Sequence, residues 1–453
     1  MGATIVTRPD LSRVVVGGLG ITGRALTEAL IFREHRVTVV DDRPKSVTAL
    51  ADALGIELVD SKSLTELEKV VSDATAVVAS PGIPPHHPLQ RIADEQGVPV
   101  LSELDVGALW DERPRAAVTG TNGKTTVTEL TSRILERSGI KAAAVGNTST
   151  PFVGAIADES NESQVFVVEA SSFALHRSRY FQSHAAAWLN LSPDHLDWHG
   201  DFESYATAKS KIFQGQQPSD FAIIPHQRDT IAPWLGPVQS QTVTFGLSTG
   251  DIHCTEHELI AHGERVIDLA DLRLSRPHDC LNACAAVALS LSMGASLQGG
   301  REVLSEFAGL AHRMEFVKSV KGVRFFNDSK ATTPHATIAG VEGFNAVVLI
   351  AGGRNKGLDL TGLAAAKPLL RAVVAIGESS DTVAEIFAGA LPVVVSDSMG
   401  DAVAQAFRLA EQTKADVVLS PACASFDWYG SYSERGDDFK QIVHRLDPRQ
   451  VTK

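Results

Sequence analysis

The sequence predicts an α/β fold with parallel sheets, divided into three domains. Its 453 residues are about three times the usual domain length of roughly 150. Short runs rich in Val, Ile and Ala alternate with longer helical patterns, which is typical of βαβ units. The predicted strands are VVVGG (14–18), VTVVDD (37–42), AVVAS (76–80), FVVEA (166–170), AVVLIAGG (346–353), AVVAIGE (372–378) and DVVLSPA (416–422). Each ends in small, polar or acidic residues, where open α/β sheets bind ligands.

Two breaks in this pattern predict the domain boundaries. The segment DERPRAA (111–117) is polar, contains a proline and precedes a new strand. Between 310 and 330 the helical pattern gives way to a predicted hairpin with Lys321-Gly322 near its turn. We therefore predict domains at 1–112, 113–312 and 313–453.

Composition excludes several classes of protein. A hydrophobic fraction of 44% is typical of a globular protein, and a formal net charge of -13 argues against binding to nucleic acid or an anionic membrane. No apolar run approaches the roughly 20 residues that span a bilayer, and the N-terminus lacks the apolar segment of a signal peptide. We therefore expect a cytoplasmic protein. The cysteines have no C-x-x-C spacing and are predicted to be small buried residues in a reducing compartment: Cys254, Cys280, Cys284 and Cys423.

The first glycine-rich loop, GLGITG (18–23), satisfies the pattern G-x-G-x-x-G between a predicted strand and a predicted helix. Asp41 and Asp42 end the next strand, close to the spacing expected of a ribose-binding carboxylate. On its own, this pattern predicts NAD. The same backbone geometry can bind any pyrophosphate, so a different nucleoside diphosphate remains an open alternative.

A second loop, TGTNGKT (119–125), lies between a predicted strand and an amphipathic helix. It resembles a P-loop, but the ordinary spacing would need a glycine where this chain has Val118. Backbone N–H groups and the helix N-terminus predict an anion site, with Lys124 as a point charge and Thr125 as a Mg²⁺ ligand. Glu169, at the end of an apolar strand, is a natural further Mg²⁺ ligand.

His195 and His199 lie four residues apart and raise the possibility of zinc. The motif H-E-x-x-H needs a glutamate where this chain has Leu196, and the Asp197-Trp198 pair predicts a turn rather than a helix. The spacing therefore disfavours a zinc site.

Taken together, these motifs resemble those of the Mur ligase family, and the resemblance covers essentially the whole chain. The similar segments are TGTNGKT, SPGIPPHHP (80–88), DHLD (194–197) followed by Ala208-Lys209, HDCLNACAA (278–286), GLAHRMEF (309–316), FNDSKATTPHAT (326–337) and LSPACASFDWYGSYSERGDDF (419–439). The resemblance implies a Rossmann-like N-terminal domain, a central P-loop-type ATP-binding α/β domain and a C-terminal Rossmann-like α/β domain. It also implies an enzyme that uses ATP to activate a carboxylate and then joins it to an amine.

The resemblance further implies an ATP site and two Mg²⁺ ions. The implied ATP ligands are Gly120, Thr121, Asn122, Gly123, Lys124, Thr125, Thr126, Asn282, Arg313 and Asp328. The implied metal ligands are Thr125, Glu169, His195 and Lys209, and Lys209 would be carbamylated to supply a negative oxygen. Lys124, His195 and Lys209 are the implied catalytic residues. The family commonly has His-Asn where this chain has His278-Asp279, and no role follows for Asp279.

The last-domain motifs are most similar to the glutamate-adding branch of the family. The implied substrates are UDP-N-acetylmuramoyl-L-alanine, D-glutamate and ATP, with no nucleic acid partner and a monomeric protein. The implied ligands of the UDP substrate are Ile21, Thr22, Asp41, Arg43, Gly82, Asn147 and Ser171, and Thr148-Ser149 replace the more usual Ile-Gly. Those of D-glutamate are Lys330, Thr332, Lys356, Ser425 and Tyr432, where Tyr432 replaces a frequent Phe. The alternatives are another Mur or folylpolyglutamate-type ligase and a noncatalytic nucleotide-binding sensor.

Overall fold

The computed structural model describes residues 8–273, 276–355 and 358–446. Within these ranges the chain divides into two compact units. The first comprises residues 8–191, 198–272 and 281–306, and the second comprises residues 192–197, 273, 276–280, 307–355 and 358–446. Two β-sheets lie in the described part of the first unit and one in that of the second. The exact domain boundaries at 112/113 and 312/313 stay predictions.

The first sheet is entirely parallel over the described residues, with strand order β3-β2-β1-β4-β5. Its strands are β1 (Arg13–Gly17), β2 (Arg36–Asp41), β3 (Glu57–Asp60), β4 (Ala76–Ala79) and β5 (Val100–Leu101). Its helices are α1 (Ile21–Phe32), α2 (Pro44–Leu54), α3 (Leu64–Ser72), α4 (Pro88–Gln96) and α5 (Glu103–Trp110). Buried valines on both faces explain why β1 reads as one continuous apolar run. The order reverses between β1 and β4, where such sheets form a ligand crevice.

The second sheet has the order β14-β13-β12-β11-β10-β9-β6-β8-β7. Its strands are β6 (Arg115–Thr119), β7 (Ala142–Gly146), β8 (Val165–Glu169), β9 (Ala185–Trp188), β10 (Phe221–Pro225), β11 (Gln241–Leu247), β12 (Ile252–Cys254), β13 (Glu258–Ala261) and β14 (Glu264–Asp268). The helices that follow them are α6 (Lys124–Arg137), α7 (Phe152–Ala157), α8 (Ser172–His176), α9 (Leu196–His199), α10 (Phe202–Ser210), α11 (Pro277–Ser292) and α12 (Leu297–Glu306). The strands are parallel from β7 to β12, and β13 and β14 add an antiparallel edge. Short 3₁₀ turns occupy Lys211–Phe213, Ala232–Trp234 and Leu269–Asp271.

The third sheet has the order β15-β16-β20-β17-β18-β19 and belongs to the second unit. Its strands are β15 (Glu315–Val320), β16 (Val323–Asn327), β17 (Val347–Gly352), β18 (Leu370–Ile376), β19 (Val393–Ser396) and β20 (Asp416–Leu419). Its helices are α13 (Pro334–Val341), α14 (Ser380–Phe387), α15 (Met399–Thr413) and α16 (Tyr432–Arg445), with a 3₁₀ segment at Leu360–Leu369. Strand β20 lies between β16 and β17, so the loops that follow these three strands meet at one edge.

Most local predictions are confirmed. All seven predicted strand runs are strands, and β15 and β16 form the predicted antiparallel hairpin around Lys321-Gly322. The four cysteines are buried thiols. The predicted turn at Asp197-Trp198 is wrong, because Leu196–His199 forms a single helical turn. The Trp198 ring packs 4.8 Å from the ring of Phe173, a contact that the local sequence does not reveal. No helix in the described ranges is both long enough and apolar enough to span a bilayer.

Candidate active site

A cavity of about 420 Å³ lies at the carboxyl edge of the first sheet, where the strand order reverses. It brings together six of the seven residues predicted to bind the UDP substrate: Ile21, Thr22, Asp41, Arg43, Gly82 and Asn147. Asn147 and Thr148 come from the loop after β7, so the second sheet contributes to the wall. The seventh, Ser171, is not part of this lining; its hydroxyl caps helix α8 by accepting the backbone N–H of Ala174 at 3.2 Å.

Glycines and one carboxylate shape this cavity. A Cβ atom on Gly23 would lie 1.8 Å from the carbonyl oxygen of Gly18, so only glycine lets helix α1 pack this closely on the loop. The Asp41 carboxylate accepts the backbone N–H of Leu19 at 2.9 Å with one oxygen and that of Arg43 at 2.8 Å with the other. Asp41 therefore joins the glycine loop to the end of β2.

The neighbouring Asp42 also lines the cavity but is held differently. Its Oδ1 lies 2.9 Å from Nε2 of His87, a buried residue whose Nδ1 accepts the backbone N–H of Leu89 at 3.1 Å. Burial acts to raise the pKa of Asp42, but hydrogen bonds from Ser61 and His87 outweigh it and lower the pKa below its usual value. The sequence pattern offers Asp42, together with Asp41, as a ribose-binding carboxylate, but it does not reveal the contact with His87, 45 residues away.

The second glycine loop is clamped by an asparagine from a neighbouring strand end. Asn190 Oδ1 accepts the backbone N–H groups of Thr121 and Asn122 at 3.1 and 2.9 Å, and its Nδ2 donates to the Asn122 carbonyl at 3.1 Å. Gly120 and Gly123 have φ angles of 157° and 86°, which favour glycine. These constraints fix the loop before helix α6 begins at Lys124.

Two lysine side chains meet at one carbonyl group of this loop. Lys124 Nζ donates to Gly120 O at 2.8 Å and to Thr121 O at 2.9 Å, and Lys209 Nζ donates to Gly120 O at 2.8 Å. Lys209 is buried and its Nζ lies 4.6 Å from the ring centroid of Tyr205. Two cations thus lie at the start of the predicted phosphate loop.

Other predicted ligands in the first unit surround the same loop. Asn282 lies against it, since a Cβ atom on Gly123 would be 2.4 Å from Asn282 Oδ1. Glu169 ends β8 and is buried, and its Oε1 accepts Asn147 Nδ2 at 3.0 Å. Its Oε2 is buried and has no hydrogen-bond partner among the described residues. Thr125 and Thr126 are partly exposed in the first turn of α6.

Three predicted nucleotide or metal residues belong to the second unit: His195, Arg313 and Asp328. His195 has a φ of 54°, and its ring Nε2 lies 3.3 Å from Asp194 Oδ2. Asp328 accepts the Met314 N–H at 3.2 Å and the Ser420 hydroxyl at 2.8 Å. Burial raises the pKa of Asp328 to about 7, although these hydrogen bonds and nearby arginines act to lower it.

The predicted D-glutamate residues in the described ranges follow adjacent strands of the third sheet. Lys330 and Thr332 come after β16, Ser425 comes after β20, and Tyr432 begins helix α16. Lys330 Nζ lies 5.2 Å from the ring centroid of Tyr432. The remaining predicted ligand, Lys356, lies outside the described residues.

Arg435 holds the loops of this edge together. Its guanidinium donates to the Ser329 hydroxyl at 3.0 Å and to three backbone carbonyls, those of Ser329 at 2.9 Å, Cys423 at 3.1 Å and Ala424 at 3.2 Å. Burial lowers the pKa of Arg435 to about 10, so the group stays charged at neutral pH. Arg435 lies in the segment 419–439 that resembles the Mur ligase family, but the sequence alone gave it no role.

The sequence patterns also did not reveal two carboxylates in helix α5, which accept hydrogen bonds from segments that follow strands of the second sheet. Glu103 accepts the backbone N–H of Val153 at 2.7 Å, beside the loop that carries Asn147. Burial raises the pKa of Glu103 to about 7 despite this hydrogen bond. Asp105 Oδ1 accepts the backbone N–H groups of residues 179, 180 and 181 and the Ser178 hydroxyl. The S-E-x-D pattern at 102–105 is the sequence signal that could have pointed to these carboxylates, because it forms a capping box at the start of helix α5.

Family models match three segments of the chain. Residues 12–102 match the Mur ligase MurD-like N-terminal domain, residues 118–290 match the Mur ligase middle domain, and residues 312–423 match the Mur ligase glutamate ligase domain. The chain is similar to the UDP-N-acetylmuramoylalanine--D-glutamate ligase of Desulfosudis oleivorans, with 37% identity over 447 residues, 96% of each chain. It is 39% identical over 449 residues to the ligase of the same name from Frankia casuarinae, which covers 95% of this chain and 93% of that protein.

Solved structures support the same fold. The MurF ligase from Thermotoga maritima in complex with ADP matches with a TM-score of 0.60 and 18% identity, over 96% of this chain and 95% of that chain. The UDP-N-acetylmuramate-alanine ligase MurC from the same organism matches with a TM-score of 0.59 and 19% identity, over 97% and 100% of the two chains. The three sheets and the glycine loops of the first two define a three-domain α/β protein of the nucleotide-binding type. The chain belongs to the Mur ligase family.

Proposed function

We propose that this chain is an ATP-dependent ligase that joins D-glutamate to UDP-N-acetylmuramoyl-L-alanine, a step in the synthesis of peptidoglycan precursors. The proposal rests mainly on the clamped loop at 120–123. Lys124 and Lys209 both donate to the carbonyl of Gly120, and Asn282 lies against Gly123 of the same loop. The names of relatives that are 37% and 39% identical over nearly the whole chain support this substrate pair.

The cavity of the first sheet would hold the UDP group rather than NAD. An NAD site of this type uses the acid at the end of β2 to bind ribose hydroxyls. Here both Asp41 oxygens already accept backbone N–H groups of the two loops that line the cavity. The glycine loop and Arg43 remain available for a diphosphate, which is the part that a UDP-sugar and NAD have in common.

The residues around Glu169 fit a Mg²⁺ ion. The buried Oε2 of Glu169 needs a partner, and Mg²⁺ prefers a few carboxylate oxygens together with substrate phosphates and waters. The described residues contain no group of three or more His, Cys, Asp or Glu side chains that could hold a metal ion, so phosphates and waters would complete the coordination. Glu169 and Thr125 would hold the ion, with His195 as a ligand of a second one. When bound, Mg²⁺ would neutralise charge on the transferred phosphoryl group.

The reaction would proceed in two steps. The alanyl carboxylate of the UDP substrate attacks the γ-phosphorus of ATP, and an acyl phosphate and ADP form. The amine of D-glutamate then attacks the acyl carbon, and the tetrahedral intermediate collapses to an amide as phosphate leaves. Lys124 would offset the negative charge that spreads over the phosphoryl oxygens, which is the main requirement of such a transfer.

Lys209 would act as a carbamate. As an ammonium it places a second positive charge beside Lys124, where anionic ligands would serve a metal better. Loss of a proton from the ammonium, followed by reaction of the neutral amine with CO₂ and loss of a second proton, would replace the positive charge with an anionic carbamate. The burial of Lys209 supports the proposal, because burial favours the neutral amine that captures CO₂.

The carboxyl edge of the third sheet would bind D-glutamate. Lys330 would pair with one carboxylate and Lys356 with the other, while Thr332, Ser425 and Tyr432 would position the amino acid. The cation–π contact between Lys330 and Tyr432 supports a fixed position for the first of these charges.

Phosphate release from ATP tests the proposed reaction. Release should require both UDP-N-acetylmuramoyl-L-alanine and D-glutamate, and the product mass should equal that of the amide. Phosphate release with a folate and glutamate instead would favour the folylpolyglutamate-type alternative. Binding of ATP with no release under any substrate pair would favour the noncatalytic sensor.

The carbamate can be tested separately with Lys209→Ala. We expect this variant to lose most of its kcat and to regain part of it in formate or acetate, which would occupy the vacated oxygen site. Lys141→Ala, which removes an exposed lysine from the same unit, serves as the control and should keep normal kcat. Near-normal turnover of Lys209→Ala in CO₂-depleted buffer would refute the carbamate.

A further inference from the structure

Two buried thiols contact each other in the first unit, and neither is among the proposed ligands of ATP, Mg²⁺ or the UDP substrate. Cys254 ends β12 and Cys284 lies in α11, and their Sγ atoms are 3.6 Å apart. Cys254 is 4% exposed and Cys284 is 0% exposed. The Cys284 thiol also lies 3.8 Å from the carbonyl oxygen of Gly246, in the neighbouring strand β11. The two thiols therefore face each other between helix α11 and strand β12 of the second sheet.

We infer that Cys254 and Cys284 form a reversible intramolecular disulfide, so that this pair is an oxidative modification site. A disulfide needs an S–S distance of about 2.05 Å, so the two sulfurs must approach by about 1.5 Å from their present contact. Rotation about the Cα–Cβ bonds supplies much of this movement, and a small shift of α11 toward β12 supplies the rest.

The oxidant is a small peroxide, because burial excludes bulky disulfide reagents. One thiolate attacks the O–O bond of hydrogen peroxide, and a sulfenic acid and water form after proton transfer. The second thiol attacks the sulfenic sulfur, the S–S bond forms, and a second water leaves. Two thiols are thus oxidised by two electrons while one peroxide is reduced to two waters. A small dithiol reductant reverses the reaction by thiol–disulfide exchange.

The disulfide also affects the phosphate loop, through the helix that carries Cys284. Asn282 lies two residues before it and packs against Gly123, where a Cβ atom would already be 2.4 Å from Asn282 Oδ1. A shift of the helix toward β12 moves Asn282 relative to this loop. This consequence rests on the proposed ATP site. We expect the KM of the oxidised protein for ATP to rise roughly two- to thirtyfold, which is the range for coupling through packed elements.

Peptide mass mapping of the full chain tests the modification independently of activity. The protein is treated with hydrogen peroxide, denatured, alkylated with iodoacetamide and digested. We expect a cross-linked peptide pair containing Cys254 and Cys284, about two mass units lighter than the separate thiol peptides and released by dithiothreitol. Recovery of both peptides in alkylated form after peroxide treatment would overturn the inference, as would a cross-link to Cys280 or Cys423 instead.

Matched variants then separate the disulfide from other oxidation. Cys254→Ala and Cys284→Ala should each abolish the cross-link and the rise in KM, whereas Cys423→Ala, a buried thiol of the second unit, should leave both intact. A complete cross-link with an unchanged KM for ATP would contradict the coupling to the loop. A chain that lacks ligase activity even when reduced would instead contradict the proposed function, while the mass result would still decide whether the disulfide forms.

Discussion

The carboxyl edges of the first and third sheets both hold loops around a crevice, but different groups hold the loops in place. Each lies where loops follow neighbouring parallel strands and the strand order allows a crevice. The first edge is built from glycine backbone, with Asp41 accepting two backbone N–H groups. The third edge is built around the buried guanidinium of Arg435 and the buried carboxyl of Asp328. The first edge therefore depends on glycine backbone that one carboxylate ties together, and the third on buried ionisable side chains.

This difference predicts which changes destabilise each edge. A buried ionisable group leaves several polar partners unsatisfied when it is removed, and its own charge state changes with pH. A glycine turn has no titrating group of its own, but any added atom meets backbone that cannot move aside. The third edge should therefore be sensitive to pH and to loss of charge, and the first edge to added volume.

Removal of the Arg435 side chain should have the largest effect. Arg435→Ala leaves the Ser329 hydroxyl and three buried carbonyls without their donor, so we expect the free energy of unfolding to fall by about 3–5 kcal/mol. Denaturant unfolding measures this loss. Arg445→Ala, at an exposed position on the same helix, should change stability by less than about 0.5 kcal/mol. Equal effects of the two variants would show that the buried guanidinium does not organise this edge.

The pH dependence of stability should be the next largest effect. Burial raises the pKa of Asp328 from 3.8 to about 7. Between these two pH values the folded carboxyl keeps its proton while the unfolded one ionises, so the folded state binds more protons and stability falls as pH rises. The loss should be on the order of 2–4 kcal/mol and complete above about pH 7. Asp328→Asn should remove this part of the slope.

Denaturant unfolding between pH 4 and pH 8 measures the slope. Asp381→Asn, at an exposed position in α14, is the control and should keep the wild-type profile. Glu103, in the first unit, has a similarly raised pKa of about 7 and should contribute a second part of the slope that Glu103→Gln removes. If Asp328→Asn kept the full wild-type slope, the proposed buried acid would be ionised in the folded state.

Added volume should damage the first edge. The Cβ atom of Gly23→Ala would lie 1.8 Å from the Gly18 carbonyl oxygen, so the loop or helix α1 must move, at a cost of about 1–3 kcal/mol. We expect calorimetry to show loss of binding of the UDP substrate while the protein stays folded. Gly20→Ala, in the same loop, is the control for stability, since its Cβ would meet no protein atom within 4 Å. Equal stability of the two variants would show that close packing at Gly23 does not hold this edge together.

The two edges also differ in how well the sequence predicts them. The valine runs and the spacing of GLGITG predict the first edge, because a backbone turn requires glycine at fixed positions. The contacts of Arg435 join it to Ser329, 106 residues away, and no local pattern encodes such a pair. The same holds for Asn190, whose side chain clamps a loop 68 residues away. The wrong turn prediction at Asp197-Trp198 is a further example, since the ring of Trp198 packs on Phe173, 25 residues away, a contact that no local pattern reveals.

The smallest predicted effect separates the two adjacent acids of the first cavity. Asp41→Asn replaces one oxygen with an NH₂ group that faces the N–H of either Leu19 or Arg43, so one hydrogen bond becomes a contact between two donors. We expect binding of the UDP substrate to weaken by about 1–2 kcal/mol, which is roughly five- to thirtyfold in Kd.

Asp42→Asn is the matched control for Asp41→Asn, because it removes the neighbouring charge from the same cavity. Its amide oxygen still accepts the Nε2–H of His87, so the contact that holds the side chain survives. Its negative charge, which opposes the approach of a diphosphate, disappears. Titration calorimetry should therefore give an unchanged or slightly tighter Kd for Asp42→Asn and a weaker one for Asp41→Asn. The reverse order would mean that Asp42 contacts the ligand directly and that Asp41 does not hold the two loops in place.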